Sequence, residues 1–266
     1  MKKLVLVLVL VFVFSMTNMA MANNNESSIT QEGFALEATT LQFGNNNKAT
    51  IDQLNEESPV SGEVPHEALI LQEGNRNEAS ITQGLRWGAD AFVWQVGNDN
   101  YADVLQTRRY NSAALVYQEG NSNDARVEQT GNLWNEAYVL QFGNDNRSRI
   151  YQRTEYDVAI TWQDGNSNYA RIEQDGAQQG WGNRDGSIAL VYQDGNRNDG
   201  RIHQLSDFGE DTALILQEGN DNTGRINQFT EDGVNNLALL VQVSNGNTAT
   251  INQNAGSNNT AFSYQD

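Results

Sequence analysis

The chain has no cysteine among its 266 residues, only two prolines, and 16 Lys and Arg against 34 Asp and Glu. Each shortage excludes something. Without cysteine there is neither a disulfide nor a thiolate metal site, so something else must hold the chain together. A formal net charge of −18 repels phosphate backbones and anionic lipid headgroups, which excludes nucleic acid as a partner and argues against a membrane-surface role. Long apolar runs are missing except for Leu4 to Phe14. This run follows Lys2 and Lys3, precedes Ala20-Met21-Ala22, and so reads as a secretory signal over residues 1–22. It is too short for an ordinary spanning helix, and no later stretch approaches the roughly 20 apolar residues that spanning takes. The expected mature chain starts at Asn23, outside the cytoplasm; losing Lys2 and Lys3 leaves 14 basic residues and a net charge of −20.

What the chain has instead is repetition. Gln stands at Gln42, Gln72, Gln95, Gln118, Gln141, Gln163, Gln193, Gln217, Gln242 and Gln265, in steps of 22 to 30 residues. Eleven residues after each of the first nine comes a second: Gln53, Gln83, Gln106, Gln129, Gln152, Gln174, Gln204, Gln228 and Gln253, with Gln31 an orphan of this set. Between the two runs G-N-x-N-x-A-x-I-x-Q. The first Asn column is Asn45, Asn75, Asn98, Asn121, Asn144, Asn166, Asn196, Asn220 and Asn245. The second is Asn47, Asn77, Asn100, Asn123, Asn146, Asn168, Asn198, Asn222 and Asn247. Neither has an exception.

Both halves of the unit read Ala-x-x-x-Gln with a mostly aliphatic residue two before the Gln, a period of two that predicts strands. A strand-turn-strand unit cannot bury its apolar side alone, but parallel stacking at about 4.8 Å piles like residues into continuous rows. The expected fold is all-β: a two-sheet β-solenoid of repeats of about 23 residues, with a half-repeat at 23–31, nine full repeats over 38–253, and a half-repeat at 259–266. Stacking explains the amides. An inward Gln or Asn left unpaired costs about 1–3 kcal/mol, whereas the same amide one coil above and below forms a ladder. The two Gln sets and the second Asn column are the expected ladders. The Gly and Asn positions suit a turn needing φ > 0.

The recurring pattern Ala68-x-Ile70-x-Gln72-x-Gly74-x-x-Asn77-x-Ala79-x-x-x-Gln83 resembles the curlin repeat of curli, functional amyloid fibres of bacterial surfaces. It covers nearly all of the expected mature chain. The resemblance implies a secreted subunit that self-assembles into extracellular biofilm and adhesion fibres, with a nucleator subunit and outer-membrane export machinery as partners. The half-repeats suggest head-to-tail growth in which the end of one molecule is completed by the start of the next.

The outward positions of the first strands are apolar, including Phe92, Trp94, Leu115, Tyr117, Tyr138, Leu140, Ile160, Trp162 and Tyr192; those of the second strands, such as Asp124, Arg126, Arg147 and Arg149, are polar. One greasy face of this length exceeds what soluble monomers expose and suggests lateral pairing of fibrils. No catalytic constellation, cofactor or metal site is expected. His66 and His203 read as solvated surface histidines. The carboxylates recur with the repeat, as Asp164, Asp194 and Glu218 do, and read as gatekeepers against aggregation; acid or calcium relieving their repulsion would speed assembly. The rival is a monomeric solenoid, either a surface adhesin or a ligand or ice binder, but the outward Thr-x-Thr that ice binding needs occurs only at Thr248 and Thr250. Two insertions, Leu54 to Glu67 and Asp175 to Ile188, fall at the inter-repeat turn, where added length costs little.

Overall fold

The computed structural model describes residues 24–55, 65–131, 133–176, 186–206, 210–230, 235–254 and 258–266. The expected secretory signal and most of both insertions lie outside them. Among the described residues eighteen strands form, in chain order. They are β1 (Glu26–Gly33), β2 (Leu36–Asn45), β3 (Lys48–Asn55), β4 (His66–Asn75), β5 (Glu78–Asn98), β6 (Tyr101–Asn121), β7 (Asp124–Gln129), β8 (Glu136–Asn144) and β9 (Arg147–Gln152). Then follow β10 (Val158–Asn166), β11 (Tyr169–Asp175), β12 (Ile188–Asn196), β13 (Asp199–Ser206), β14 (Thr212–Asn220), β15 (Thr223–Thr230), β16 (Leu237–Gln242), β17 (Thr248–Asn254) and β18 (Thr260–Gln265).

All pairing is parallel and joins one coil to the next, in two facing sheets of ten rungs each. Register sets like on like: Ala91, Val93 and Gln95 pair with Ala114, Val116 and Gln118. Among the described residues, the one departure from strand-turn-strand lies in β5 and β6. Each runs unbroken through the inter-repeat bend for 21 residues, so a single strand serves both sheets.

Inward side chains follow the period of two. In the first sheet Ala114, Val116 and Gln118 are buried, and in the second Ala102, Val104 and Gln106. The Ala and aliphatic rows make one continuous core, each Ile or Val contributing about 1.5–3 kcal/mol. Departures from the rows compensate one another across it. Ser148, in the Ala row, shares a 2.7 Å hydrogen bond with Thr161, in the facing aliphatic row, and Ser27 meets Thr40 in the same way.

The Gly-Asn-x-Asn turn corrects one expectation. Its glycines do have positive φ, but the Asn columns do not; the other left-handed residue is the one between them, as at Arg76, Asp99 and Ser122. The glycine has a second constraint: a Cβ on Gly120 would lie 1.9 Å from the carbonyl oxygen of Gly143 in the next coil.

Candidate assembly site: amide ladders and outer faces

Each glutamine ladder runs the length of the stack. In the first, Nε2 of Gln42 donates to Oε1 of Gln72, Gln72 to Gln95, and so on to Gln265, at 2.8–2.9 Å. The second runs likewise from Gln31 to Gln253 at 2.7–3.0 Å. The amide's other N–H crosses the core to the opposite strand, as Gln118 does to the carbonyl of Tyr101 and Gln129 to that of Ala113. Each amide between the two ends thus has partners above, below and across, which removes the cost of burying it. Every rung also has the same sense, with N–H toward the C-terminal end and C=O toward the N-terminal end.

The two asparagine columns divide the work differently from expectation. It is the first column, Asn45 to Asn245, that makes an unbroken side-chain ladder, Nδ2 to Oδ1 at 2.8–3.0 Å. In the second column, side chain meets side chain only over Asn47, Asn77, Asn100 and Asn123. Along the whole column, from Asn47 to Asn222, each Oδ1 accepts the backbone N–H of the next Asn, and from Asn123 onward that bond alone links neighbouring members. The Nδ2 groups of this column donate to the turn carbonyl one coil on, such as Asn100 to Gly120. Asn25, in the half-repeat at 23–31, opens the column by accepting from the Asn47 N–H at 2.9 Å.

A further column at the inter-repeat turn was also missed. Six residues before the first-set Gln, from Gln118 to Gln265, stand Ser112, Asn135, Asp157, Ser187, Asp211, Asn236 and Asn259; the spacing was visible, but the mixed residue types hid it. Here Oδ1 of Asn135, Asp157, Asp211 and Asn236 accepts the backbone N–H of the following coil, at 2.9–3.1 Å. Where Asp replaces Asn a threonine hydroxyl supplies the missing donor: Thr154 to Asp157, and Thr230 to Asp211 at 2.5 Å. Burial, opposed by the Thr154 hydroxyl and the Ser187 N–H, pushes Asp157 up to about 7, and burial likewise raises Asp211. His66 corrects an expectation: it is wholly buried as the same column's member in β4. His203 lies half-exposed on β13, edge-on to Phe229.

The outer faces differ sharply. On the first sheet the rings form a chain along the stack: Phe92 to Trp94, then Tyr117, Phe142, Trp162 and Tyr192, with centroids 5.1–6.5 Å apart. Leu115, Tyr138, Leu140 and Ile160 fill the rows beside them, half-buried by their neighbours. Tyr117 donates to Glu119 and Tyr138 to Glu136, both at 2.9 Å. Burial, with those carboxylates, pushes both phenols up to about 12.

On the second sheet Arg126, Arg149, Arg171, Arg201 and Arg225 stand in register on successive coils. Their mutual repulsion is offset by flanking carboxylates: Arg126 lies 3.7 Å from Asp103, Arg149 2.5 Å from Asp124, and Arg201 2.7 Å from Asp199, while Arg171 pairs with Glu173. Arg171 and Arg201 also lie over the rings of Tyr151 and Tyr169. Among the described residues there is no cluster of three potential metal ligands.

No curated protein matches the chain. The family model described as the curlin associated repeat matches residues 22–54 and 97–131, which hold β1 to β3 and β6 to β7. The coils outside those two stretches carry the same Gln and Asn, and all but that of Ser244 the same Gly, at the same register, which supports assigning the chain to the curlin repeat family.

Proposed function

We propose that the chain is a secreted structural subunit that assembles head-to-tail into extracellular, curli-like amyloid fibres, a matrix and adhesion material with no catalytic role. The observation that carries this reading is the polarity of the ladders at the two ends of the stack. At one end Oε1 of Gln31 and Gln42 faces outward with no coil beyond it among the described residues; at the other, Gln253 and Gln265 hold the outward-facing N–H.

A second copy placed with its β1 beyond β17 and its β2 beyond β18 continues both sheets in register. Gln253 then donates to Gln31, Gln265 to Gln42, and Asn247 accepts from the Asn25 N–H. A copy turned over would set acceptor against acceptor. Among the described residues nothing covers the end strands. β1 is exposed throughout and Phe262 and Tyr264 of β18 are 64% and 56% exposed, open edges of the kind that template strand addition. Nucleator and export partners come with the family resemblance.

The test is Gln265→Glu, which replaces the outward donor by a carboxylate facing Oε1 of Gln42. Leaving these groups unpaired costs about 1–3 kcal/mol, so elongation from preformed seeds should slow roughly tenfold or more. Elongation at the unsubstituted rate, or purified mature protein that gives no unbranched fibres under negative stain, rejects the reading.

A further inference from the structure

The outer face of the first sheet has four outward columns. The central two hold the aromatic and aliphatic residues. The other two form its edges: one begins at Glu37 and passes through Asp90 and Val158, the other begins at Phe43 and passes through Val96 and Asp164. No Lys or Arg occurs in any of the four. The acids are placed with a regularity that solubility alone does not require. In eight of the ten rungs one edge carries an acid and the other does not; the exceptions are the rung of Glu67 and Glu73, with two, and that of Leu237 and Val243, with none. The acid changes edge along the stack, standing on the first edge at Asp90 and on the second at Asp164.

We infer that this face is the seam between two fibrils of the same protein, packed face to face, in register and running in the same direction. The inference rests on the head-to-tail reading, which makes the face continuous from subunit to subunit. A twofold axis along the fibre lays each edge of one copy on the opposite edge of its mate at the same rung. Asp90 then meets Val96 and Asp164 meets Val158, so carboxylate faces carboxylate only at the rung of Glu67 and Glu73.

Size and spacing agree. Ten rungs at about 4.8 Å make a band about 48 Å long, and two columns about 7 Å apart make it roughly 12 Å wide, or roughly 600 Å² on each copy. The pair hides roughly 1,200 Å², the lower bound for a specific interface, and each added subunit extends the contact along a joined pair. Only a surface with the same axial repeat stays in step over ten rungs, and a second copy has that repeat by construction. Such dry, interdigitated seams between identical sheets are what hold cross-β assemblies side by side.

The absence of cysteine makes the seam directly testable. Leu115→Cys and Tyr117→Cys proteins, mixed before assembly, put thiols opposite each other in the same-direction seam, because the row of Leu115 faces the mate's row of Tyr117. A short bismaleimide should then yield cross-linked dimers roughly tenfold above either variant alone, since a short link tolerates little extra separation. Neighbours along one fibril stand about 48 Å apart, too far to interfere. Trp94, Tyr117 and Trp162 all replaced by Thr should give single fibrils under negative stain. Cross-linking of Leu115→Cys with Leu190→Cys, the pair an opposed seam brings together, overturns the proposal. So does fibre formation with no cross-link from any pair, or bundling that survives the triple replacement. Absence of fibres from the unsubstituted protein would instead defeat the head-to-tail reading.

Discussion

The two turns of each coil carry the same backbone duty under different rules. At the Gly-Asn-x-Asn turn both Asn columns are without exception and both are hydrogen-bonded to their own kind through the stack. At the inter-repeat turn the buried column mixes His66, Ala89, Ser112, Asn135, Asp157 and others, and two strands pass through with no break at all. The difference lies in what each turn asks of the coil above it. Where a glycine must lie against the next coil's carbonyl and two amides must find partners, every copy is constrained by its neighbour. Where a single backbone N–H needs an acceptor, Asn or Asp serves, and both insertions fall there.

The largest effect should come from Gly120→Ala, whose Cβ would meet the Gly143 carbonyl at a residue with φ 120°. A loss of about 3–5 kcal/mol is expected, read as a fall in the denaturant concentration that dissolves fibres, or as failure to form them. Next comes Gln118→Leu, which fits the core but leaves the Gln95 N–H and the Gln141 Oε1 unpaired. It should cost about 2–5 kcal/mol in the same assay. If both substitutions were as mild as changes at the inter-repeat turn, the contrast between the turns would collapse.

Asp157→Asn sharpens the contrast in the other direction. A carboxyl held at about 7 in the fold against 3.8 ordinarily opposes folding when ionised. That cost is absent below about pH 4, grows between pH 4 and 7 and is complete above, so the unsubstituted protein gains stability on acidification through this window. An Asn there can donate to Thr154 as Asn236 does to Thr230 at 2.7 Å. The variant should be more stable by about 1–2 kcal/mol at pH 7 and flatter with pH, since one pKa unit corresponds to about 1.4 kcal/mol; denaturant titrations at pH 5 and 7 decide. The smallest effect belongs to Ser112→Ala, which copies Ala89 one coil below. Its thermal and denaturant midpoints should stay within about 0.5 kcal/mol of the unsubstituted protein.

Where a column repeats Gln, its role was legible in the sequence; the two Asn columns repeat as strictly, but which of them forms the unbroken side-chain ladder was not. The period of two gave the strands, and Gln at a fixed interval gave the ladders, down to Gln31 at the edge. Three things were hidden for physical reasons. The left-handed residue between the asparagines accepts Arg, Asp or Ser alike, because its side chain points to solvent and only its backbone is restrained. The inter-repeat column uses an acceptor rather than a residue type, so Asp157 and Asn135 do one job under two names. His66 sits beside a stretch containing both prolines, and its burial follows from strand register, which starts two residues before the Ala of the motif.

The glutamine ladders between coils span 22 to 30 residues of sequence and join only adjacent coils. No coil therefore carries information about how many others there are. The chain encodes a rule of addition and not a finished shape, so excising 23 residues from one Gln to the next, as from Gln95 to Gln118, should leave a shorter but working rod. Length becomes a quantity that gene duplication or deletion adjusts in whole steps, without redesign of any contact.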